Sequence, residues 1–318
     1  MSEHHVILGG GGFIGRHVAL RLVAAGKKVT LVVRHNGVVL LPQAIQDSCH
    51  VVTTELGAAD WDELVATADV VHHYAWSSIP ASANANPNGD LQANVCPTID
   101  LLDALRRRGG GRVVFASSGG TVYGKVRELP VPEDHSLAPM SAYGTGKVTA
   151  EAFLGLYRSL YNVDCRIARI ANAYGAGQDP RRGLGAVTTF LHNGLNKQPI
   201  TIWGDGEIIR DYVHVSDISA FLVALAQAPR EEAFIFNVGS GVGTSLNEIV
   251  SSIEQHLEYA LVVQRTNHRN FDIPANILSI ERAKQTLGWQ PRLLFSDGLA
   301  LTLADIREGK MTSTLLDV

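Results

Sequence analysis

The sequence feature that most restricts the fold is a run of glycines near the amino terminus, in HVILGGGGFIGRHVALRLVAAG. A short apolar run precedes the glycines, and a stretch with helical character follows them. Glycine allows a tight turn, a close approach of the backbone to a pyrophosphate, and close contact between helix and sheet. The pattern therefore predicts a dinucleotide site, NAD, NADP or a relative, rather than a turn without a ligand. The predicted contact residues are Gly9, Gly12, Phe13, Ile14 and Gly15.

Beyond this turn, short β-branched runs alternate with longer helical stretches as far as about residue 175. The strand candidates are HVIL, KVTLVV, CHVVTT, ADVVHHYA, RVVFASS and DCRIARI, with helices near 88–108 and 141–160. Such alternation is typical of a parallel sheet that is covered by helices on both faces. We therefore predict an α/β fold, with a Rossmann-type doubly wound parallel sheet in residues 1–175. A later strand and helix near 234–258 are expected to return to this domain.

Residues 176–318 follow a looser pattern, in which loops with Gly and Pro separate helices near 184–196, 216–228, 245–258 and 297–308. This part is too short and too mixed in pattern to be a free-standing enzyme. We predict a smaller, mixed α/β substrate-binding domain that closes over the site of the first domain.

The charge balance argues against some classes of partner. The 318-residue chain has a formal net charge of -4 and a pI near 6.3, which gives no indication of nucleic-acid or anionic-membrane binding. No apolar run is long enough to span a bilayer, and MSEHHVILGG lacks the features of a signal peptide. A cytoplasmic protein without membrane insertion is expected. Cys49, Cys96 and Cys165 lie far apart and are expected to be ordinary buried thiols.

The end of the second predicted strand, VTLVVRHN, lacks the carboxylate that commonly binds both ribose hydroxyls of NAD. Val33 stands where an acid is usual, and Arg34 follows it. A guanidinium there could bind the 2′-phosphate of NADP, although a solvent-facing arginine would give the same sequence. The cofactor is therefore left as NAD or NADP, with Arg34 favouring NADP.

A second pattern, SAYGTGK at 141–147, places Tyr143 four residues before Lys147. On a helix, positions i and i+4 share a face with Cβ atoms about 6 Å apart, so both side chains could point into one site. Free tyrosine has a pKa of about 10, and a neighbouring ammonium favours the phenolate that a general base requires. In isolation, the two residues could also be an ordinary surface pair.

Together with further motifs, these patterns resemble the extended short-chain dehydrogenase/reductases of the nucleotide-sugar epimerase and dehydratase family, nearest to its 4-epimerases. The matching stretches, in order, are GGGGFIG, TTELGAADWDEL, VVHHYAW, LQANV, VVFASSGGTVYG, SAYGTGK, RIANAYGAGQ, PITIWGDGEIIRDYVHVSD, RNFDIP and LGWQP. Each motif alone is weak, whereas their shared order and spacing over nearly the full chain are specific. The resemblance implies a Rossmann domain for the cofactor, a C-terminal domain for a nucleotide sugar, and a homodimer built on two helices from each subunit.

The resemblance also implies catalytic roles: Tyr143 is the general base toward a sugar hydroxyl, and Lys147 tunes the tyrosine and holds the nicotinamide ribose. The family usually has Ser or Thr three residues before the valine of its VYG triplet, where this chain has Gly119. Ser118 and then Thr121 are the predicted replacements, unless these hydroxyls only cap the strand end. Dehydratases of the family have an Asp-Glu pair before that valine, and a Gly-Thr pair here disfavours loss of water.

Individual matches to the family assign further residues to the cofactor. They are Glu55 and Leu56 at the adenine, Tyr74, Ala75 and Trp76 after the fourth strand, Ser78, Asn94 near the nicotinamide, and Ser117 at the strand end. Ser78 stands where the epimerases have a lysine on the cofactor, which argues against very tight cofactor retention. His72 and His73 are adjacent strand residues that point to opposite faces, so we expect packing and polar contacts and no metal.

Matches in the second domain assign residues that would bind the UDP-sugar substrate. They are Asn172, Arg210 and Arg269 at the diphosphate, Trp203 at the uracil and its ribose, Asp272 at a ribose hydroxyl and Asn276 at the sugar C2 group. Ser118 and Tyr143 of the first domain would also contact this substrate. The planar fork of arginine suits phosphate, although either arginine could instead form a surface ion pair. Asparagine at 276 leaves space for an N-acetyl group, unless it faces away from the pocket.

The expected activity is a nucleotide-sugar 4-epimerase that acts through a 4-keto intermediate. Its substrates would be UDP-GlcNAc and UDP-GalNAc, or UDP-Glc and UDP-Gal. An NADPH-dependent nucleotide-sugar reductase or dehydrogenase is the alternative that Arg34 keeps open. A nicotinamide-sensing regulatory protein of the same fold is a third reading. The intact YGTGK argues against it, because such relatives often lack the Tyr–Lys pair.

Overall fold

The computed structural model describes residues 2–35, 41–182, 185–231, 233–267 and 273–310. They fall into two compact units. The first unit comprises Met1–Val122, Leu137–Arg169 and Ser219–Phe236, and the second comprises Tyr123–Ser136, Ile170–Ile218 and Asn237–Val318. No helix within the described ranges is both long and apolar enough to cross a membrane.

The regular elements are numbered along the chain. The strands are β1 (His4–Leu8), β2 (Lys28–Val33), β3 (Cys49–Thr53), β4 (Val70–His73), β5 (Arg112–Ser118), β6 (Asp164–Ile170), β7 (Asn172–Tyr174), β8 (Ile200–Trp203), β9 (Ile209–His214), β10 (Ile235–Val238), β11 (Gly243–Ser245), β12 (Val263–Thr266) and β13 (Ala275–Asn276). The helices are α1 (Phe13–Ala24), α2 (Gln43–Asp47), α3 (Trp61–Val65), α4 (Pro80–Ala85), α5 (Pro87–Asp90), α6 (Cys96–Arg107), α7 (Ala142–Leu160), α8 (Ala186–Leu195), α9 (Val215–Gln227), α10 (Leu246–Leu257), α11 (Glu281–Leu287) and α12 (Phe295–Arg307). A π-helical turn, Leu91–Val95, joins α5 to α6, and Leu56–Ala58 and Pro180–Arg182 are 3-10 turns.

A seven-stranded sheet in the order β10-β6-β5-β4-β1-β2-β3 organises the first unit. Strand β1 pairs in parallel with both β2 and β4, and every residue of β1 and β4 is buried. The strand order reverses between β1 and β4. In sheets of this kind, ligands bind beyond the carboxyl ends of the strands at that reversal. The predicted Rossmann-type doubly wound fold is confirmed.

An apolar core covers one face of this sheet. It buries Leu8 of β1, Leu101 and Leu105 of α6, and Leu154 of α7 completely. The leucines of α6 recur at helical spacing, so one stripe of the helix packs inward while its charged residues remain outside. This packing places α6 and α7 beside the carboxyl ends of β4 and β5, where the predicted catalytic pair lies.

The second unit contains smaller sheets. Strands β7 and β13 pair in parallel with β9, β11 pairs with β9 in antiparallel fashion, and β8 pairs with β12. Helices α8, α10 and α12 supply the core beside them, with Leu191, Ile253 and Leu299 fully buried. Helix α10 therefore packs in this unit. Of the strand and helix that were expected to return to the first domain, only the strand, β10, joins the large sheet.

The three cysteines differ in exposure. Cys165 lies inside β6 and is fully buried, and burial raises the pKa of its thiol. Cys49 is only partly buried, at the start of the edge strand β3, and Cys96 is exposed at the start of α6. The expectation of three buried thiols was therefore wrong for Cys96 and only partly right for Cys49, because an edge strand and a helix start leave one side open to solvent.

Histidines of β1 and β4 lie inside the sheet. His72 forms hydrogen bonds with His5 (Nε2···Nδ1, 2.9 Å) and with the Tyr74 hydroxyl (Nδ1···Oη, 2.7 Å). His73 points to the opposite face, where its Nε2 lies 2.8 Å from the Thr98 hydroxyl. Burial lowers the pKa of His72 well below its ordinary value, and burial followed by the charge of Lys147 lowers that of His73 to about 3. In the described part of the chain, no group of three potential ligands is placed to hold a metal ion.

The buried histidines predict that acid destabilises the protein. Below about pH 6.5 the unfolded chain binds protons that folded His72 and His73 exclude, so the free energy of unfolding falls as the pH is lowered. For each excluded proton, the free energy of unfolding falls by about 1.4 kcal/mol for every pH unit below this value. In urea unfolding between pH 6.5 and 5, His73→Leu should give a shallower pH dependence than the wild type. Parallel pH curves for the two proteins would contradict a neutral, buried His73.

Candidate active site

The glycine turn lies where β1 meets α1, at the reversal of strand order. Gly9 has φ +82°, a conformation that side chains rarely adopt, and its N–H donates to Val32 O at 3.0 Å. A Cβ at Gly9 would lie 2.9 Å from Ala75 N, and one at Gly15 would lie 2.3 Å from Gly9 O. Only glycine at positions 9 and 15 allows β1, β4 and α1 to approach one another this closely.

The same turn fits a dinucleotide pyrophosphate. Helix α1 begins at Phe13. Its N-cap residue is Gly12, which has no side chain that could cap the helix. The first turn of α1 also carries no acidic residue. Uncapped N–H groups at a helix start whose first turn carries no acidic residue are a usual setting for a bound phosphate. When bound here, a nicotinamide dinucleotide would supply hydride acceptance and donation.

The residues expected near the adenosine end lie at the ends of β2 and β3. Val33 is buried, and Arg34, which follows it, is exposed. Glu55 is exposed, and Leu56, which begins the 3-10 turn, packs partly against the apolar core. An exposed guanidinium directly after β2 can reach a cofactor phosphate, so the role of Arg34 in cofactor choice stays a prediction.

Tyr143 and Lys147 lie one turn apart on α7. The helix begins at Ala142 because Ser141 caps it, with its hydroxyl accepting the Gly144 N–H at 3.1 Å. The Lys147 ammonium lies 5.8 Å from the centre of the Tyr143 ring. The structure therefore brings the predicted pair together near the carboxyl ends of β4 and β5.

The ammonium of Lys147 is held in an aromatic setting. It donates to Ala116 O at 2.7 Å and lies 3.8 Å from the centre of the Trp76 ring and 4.7 Å from that of Phe115. The Trp76 ring also packs edge-on against the Tyr143 ring, with 6.0 Å between the ring centres. Burial lowers the pKa of Lys147 to about 7, against the opposing charges of nearby carboxylates. A cation with this pKa can gain or lose its charge at neutral pH.

The residues before Trp76 connect the site with the histidines of the sheet. The Tyr74 hydroxyl bonds to His72, and burial raises its pKa well above the ordinary value. Ala75 faces the glycine turn at the close approach to Gly9. Tyr74 and Ala75 thus line the carboxyl end of β4 beside the turn, where they were predicted to contact the cofactor.

The candidate hydroxyl partners of Tyr143 differ in their surroundings. Ser117 is buried and donates its hydroxyl to Glu151 of α7. Ser118 ends β5, and its carbonyl accepts the Thr121 N–H at 3.1 Å. Thr121 Oγ1 is buried and has no hydrogen-bond partner among the described residues. Ser117 therefore holds β5 to α7, and Thr121 offers an unengaged hydroxyl beside the start of α7.

Asn94, Ser78 and Asp90 form one hydrogen-bonded cluster, in which Asn94 and Asp90 are buried and Ser78 is partly buried. Asn94 donates from Nδ2 to the Asp90 carboxylate at 2.9 Å and accepts the Ser77 N–H at 2.8 Å. Ser78 donates its hydroxyl to the same carboxylate. Asn94 is 2% exposed, so its amide fixes the π-helical turn against the segment after β4.

The predicted substrate residues that the structure describes belong to the second unit. Asn172 begins β7 and donates from Nδ2 to Asp211 O at 3.0 Å. Arg210 lies in β9, opposite Asn276 of β13, and donates to the carbonyls of Ile209 and Ile273 at 2.8 and 2.7 Å.

The remaining substrate predictions differ in how far the structure describes them. Trp203 ends β8 with an exposed side chain, whereas Asn276 is buried. Arg269 and Asp272 lie outside the described residues. The substrate roles of all these residues stay predictions.

Sequence reasoning missed Asp90 and the contact of Trp76 with Lys147. Asp90 precedes Asn94 by four positions, which is one helical turn, and this spacing was the available signal. A lone aspartate in a polar segment nevertheless looks like a solvent-exposed residue. The contact of Trp76 joins segments about 70 residues apart, and no local pattern indicates it.

A glycine turn at the strand reversal and a Tyr–Lys pair on one helix define a nucleotide-dependent enzyme of the short-chain dehydrogenase/reductase class. Residues 5–239 match the NAD dependent epimerase/dehydratase family. The chain belongs to this family, which confirms the resemblance seen in the sequence.

Relatives extend over most of the chain. A UDP-glucose 4-epimerase of Mycolicibacterium smegmatis is 34% identical over 313 residues, which cover 95% of this chain and 98% of the relative. A dTDP-4-dehydro-6-deoxyglucose reductase of Escherichia coli is 34% identical over 238 residues, 74% of each chain. The crystal structure of UDP-glucose 4-epimerase from Thermotoga maritima with UDP-glucose has a TM-score of 0.90 and 29% identity, and covers 96% of this chain and 99% of that one.

Proposed function

We propose that this chain is a UDP-sugar 4-epimerase that interconverts UDP-hexoses through a 4-keto sugar. The observation that carries the proposal is the Tyr143–Lys147 pair on α7, with the ammonium 5.8 Å from the tyrosine ring and buried against Trp76. The names of the Mycolicibacterium and Thermotoga relatives support UDP-glucose as the type of substrate.

In this mechanism the chain moves one proton twice. A nicotinamide dinucleotide held at the glycine turn by Gly9, Gly12 and Gly15 would supply reversible hydride acceptance for C4 of the sugar. Tyr143 takes the proton of the C4 hydroxyl and, after the 4-keto sugar has rotated to present its opposite face, gives the proton back to the same C4 oxygen. Lys147, when charged, stabilises the phenolate of Tyr143, because an ammonium in a dry site interacts strongly with a nearby anion. Thr121 or Ser118 donates to the same sugar oxygen and holds it in position.

The second unit would hold the nucleotide. Arg210 and Asn172 are proposed to bind the diphosphate, and Trp203 the uracil. Arg269 and Asp272 complete this set in the proposal. A guanidinium and an amide both donate to phosphate oxygens without requiring a particular sugar, so these residues would determine nucleotide affinity rather than the type of hexose.

The reaction class can be tested without stoichiometric cofactor. The purified protein is denatured to identify any released dinucleotide, and the native protein is then incubated with a panel of UDP-sugars and at most a catalytic amount of that dinucleotide. We expect interconversion of epimers with no net change in absorbance at 340 nm. UDP-GlcNAc and UDP-GalNAc should be interconverted at least as well as UDP-Glc and UDP-Gal, because Asn276 is smaller than an aromatic residue. Turnover of only the non-acetylated pair would contradict the proposed substrate range.

The role of Asn276 can be separated from a general loss of folding. Asn276→Tyr should lower kcat/KM selectively for the acetylated pair, whereas Asn276→Leu, which adds little bulk, should not. Asn276 is buried in β13, so thermal unfolding of both variants is measured in parallel. An equal loss for both sugar pairs in the tyrosine variant would remove Asn276 from substrate selection.

A second candidate function is an NADPH-dependent nucleotide-sugar reductase. The similarity to the Escherichia coli reductase favours it, as does the exposed Arg34 after β2. This activity would consume one NADPH for each 4-keto sugar reduced. Loss of absorbance at 340 nm in proportion to product, with no interconversion of UDP-sugars in its absence, would support the reductase over the epimerase.

We further propose that the protein acts in the cytoplasm, as a homodimer. Exposed apolar side chains at the end of α7, Leu156, Leu160 and Tyr161, support an interface on this helix. Light scattering of the purified chain should give twice the mass of one chain, and a monomeric mass would contradict the dimer.

A further inference from the structure

The Lys147 ammonium is buried to an unusual degree for a lysine. Only 3% of the residue is exposed, and the ammonium makes a hydrogen bond to Ala116 O while the rings of Trp76 and Phe115 cover it. Burial of a charge without a partner is unfavourable by several kcal/mol, so the group either loses its proton or requires an opposite charge nearby. The proposed mechanism needs the charged form, and the charges around it therefore decide whether the site can work.

The charged and titratable groups near Lys147 come from four elements. Tyr143 and Glu151 lie on α7, one turn before and one turn after it. Glu151 forms a bidentate pair with Arg169 of β6, with its Oε2 accepting from Nη2 at 2.7 Å and from Nε at 3.1 Å. His73 of β4 is kept neutral by burial, and its pKa is lowered to about 3. Glu151 raises the pKa of Lys147 more than any other neighbouring charge, but its carboxylate is shared with Arg169, and a second negative charge comes from a different element.

That charge is Asp90, the last residue of α5. Asp90 is 5% exposed, and its Oδ1 accepts hydrogen bonds from Ser78 Oγ and Asn94 Nδ2. Its Oδ2 is buried and has no hydrogen-bond partner among the described residues. Oδ2 faces Gly146, the residue before Lys147, where a Cβ would lie 3.1 Å away.

The Trp76 ring also packs against Gly146. A Cβ at Gly146 would lie 3.2 Å from Trp76 Cζ2. The Trp76 indole Nε1 is buried and, within the described ranges, lacks a hydrogen-bond partner. The absence of a side chain at Gly146 thus lets a carboxylate and an aromatic ring approach the same turn of α7. Water is excluded there, so the carboxylate acts on the ammonium through a poorly screened field.

We propose that Asp90 is a positioning residue that balances the charge of Lys147 and thereby keeps the ammonium protonated beside Tyr143. The role is indirect, because Asp90 acts on the reaction only through Lys147. This inference rests on the proposed function of the Tyr143–Lys147 pair. Burial lowers the pKa of Lys147, and the charge of Glu151 and then that of Asp90 raise it, which supports a contribution from Asp90.

The test measures the protonation of Lys147 directly. The full chain is produced with ¹³C-labelled lysine, and the Lys147 signal is identified by its loss in Lys147→Met. In Asp90→Asn, the midpoint of the Lys147 titration should fall by about one pH unit, as expected for loss of a nearby opposite charge. Asparagine retains the oxygen that accepts from Ser78 and Asn94. Asp100→Asn on α6 makes the same charge change at an exposed position and should leave the midpoint in place.

Kinetics give a second readout. In Asp90→Asn, the basic limb of the kcat/KM profile should move to lower pH by the same amount as the titration midpoint. If the Asp90→Asn variant does not fold, Asp90→Ser replaces it in both measurements. A Lys147 midpoint that is unchanged in the Asp90 variants, or that falls equally in Asp100→Asn, overturns the inference. The Lys147 titration can be measured whatever reaction the protein catalyses, so it tests the role of Asp90 alone. The proposed function is tested separately, because full activity of Tyr143→Phe would refute it. Failure of one proposal can therefore be told from failure of the other.

Discussion

Replacement of Tyr143 by phenylalanine is expected to lower kcat roughly 100-fold or more while leaving substrate affinity within a few-fold. The variant keeps the ring that meets Trp76 at 6.0 Å and loses only the hydroxyl that is proposed to carry the proton. The measurement is steady-state epimerisation of a UDP-sugar, with the dissociation constant obtained separately by calorimetry. Because the loss concerns proton transfer alone, kcat should fall and binding should not.

Tyr161→Phe provides the matched control for this experiment. Tyr161 follows α7 directly, is exposed, and packs against Tyr157 at 5.0 Å. Removal of its hydroxyl makes the same chemical change outside the catalytic pair, so kcat should remain at the wild-type value. Activity of Tyr143→Phe within a few-fold of wild type would exclude the hydroxyl as the base. Equal losses in both variants would point to a general effect on α7.

Gly15→Ala is expected to weaken dinucleotide binding by on the order of 100-fold, a difference of about 2.7 kcal/mol. The new Cβ would lie 2.3 Å from the carbonyl oxygen of Gly9. The Cβ position is fixed by the backbone of α1 and the oxygen belongs to the backbone of the turn, so the turn must open and the start of α1 must shift away from the bound phosphates. Calorimetric titration with NAD and with NADP measures the effect and also shows which of the two binds more tightly.

Gly155→Ala on α7 is the control for the added methyl group. A Cβ at Gly155 would meet Phe234 Cζ at an ordinary contact distance of 3.8 Å, and the φ of Gly155 is not positive. Its affinity for the dinucleotide should therefore equal that of the wild type. If Gly15→Ala also binds normally, the glycine turn is not the pyrophosphate site and the cofactor must bind elsewhere in the fold.

The sequence predicted the large sheet well because its signals are local. The β-branched runs and the glycines of the first turn specify strand, turn and helix wherever they occur. The packing partner of α10 was not predictable in this way, since an amphipathic helix indicates which face is buried but not which sheet covers it. The same limit explains Cys96, whose exposure depends on its position around the axis of α6.

The candidate site was predictable only where one segment supplies the chemistry. Tyr143 and Lys147 share a helix turn, so their spacing was sufficient. Asp90 and Trp76 reach Lys147 from other segments, and the space at Gly146 that admits them is visible only in three dimensions. Polar residues that are buried by distant contacts look like surface residues in a sequence.

The π-helical turn Leu91–Val95 makes this segment sensitive to its length rather than to its composition. A π turn is equivalent to one residue inserted into an α-helix. Deletion of a single residue from 91–93, all of them exposed, would restore regular winding and rotate Asp90 by about 100° relative to α6. Insertions and deletions here should therefore be as damaging as loss of the carboxylate, while point substitutions at the same three positions are tolerated.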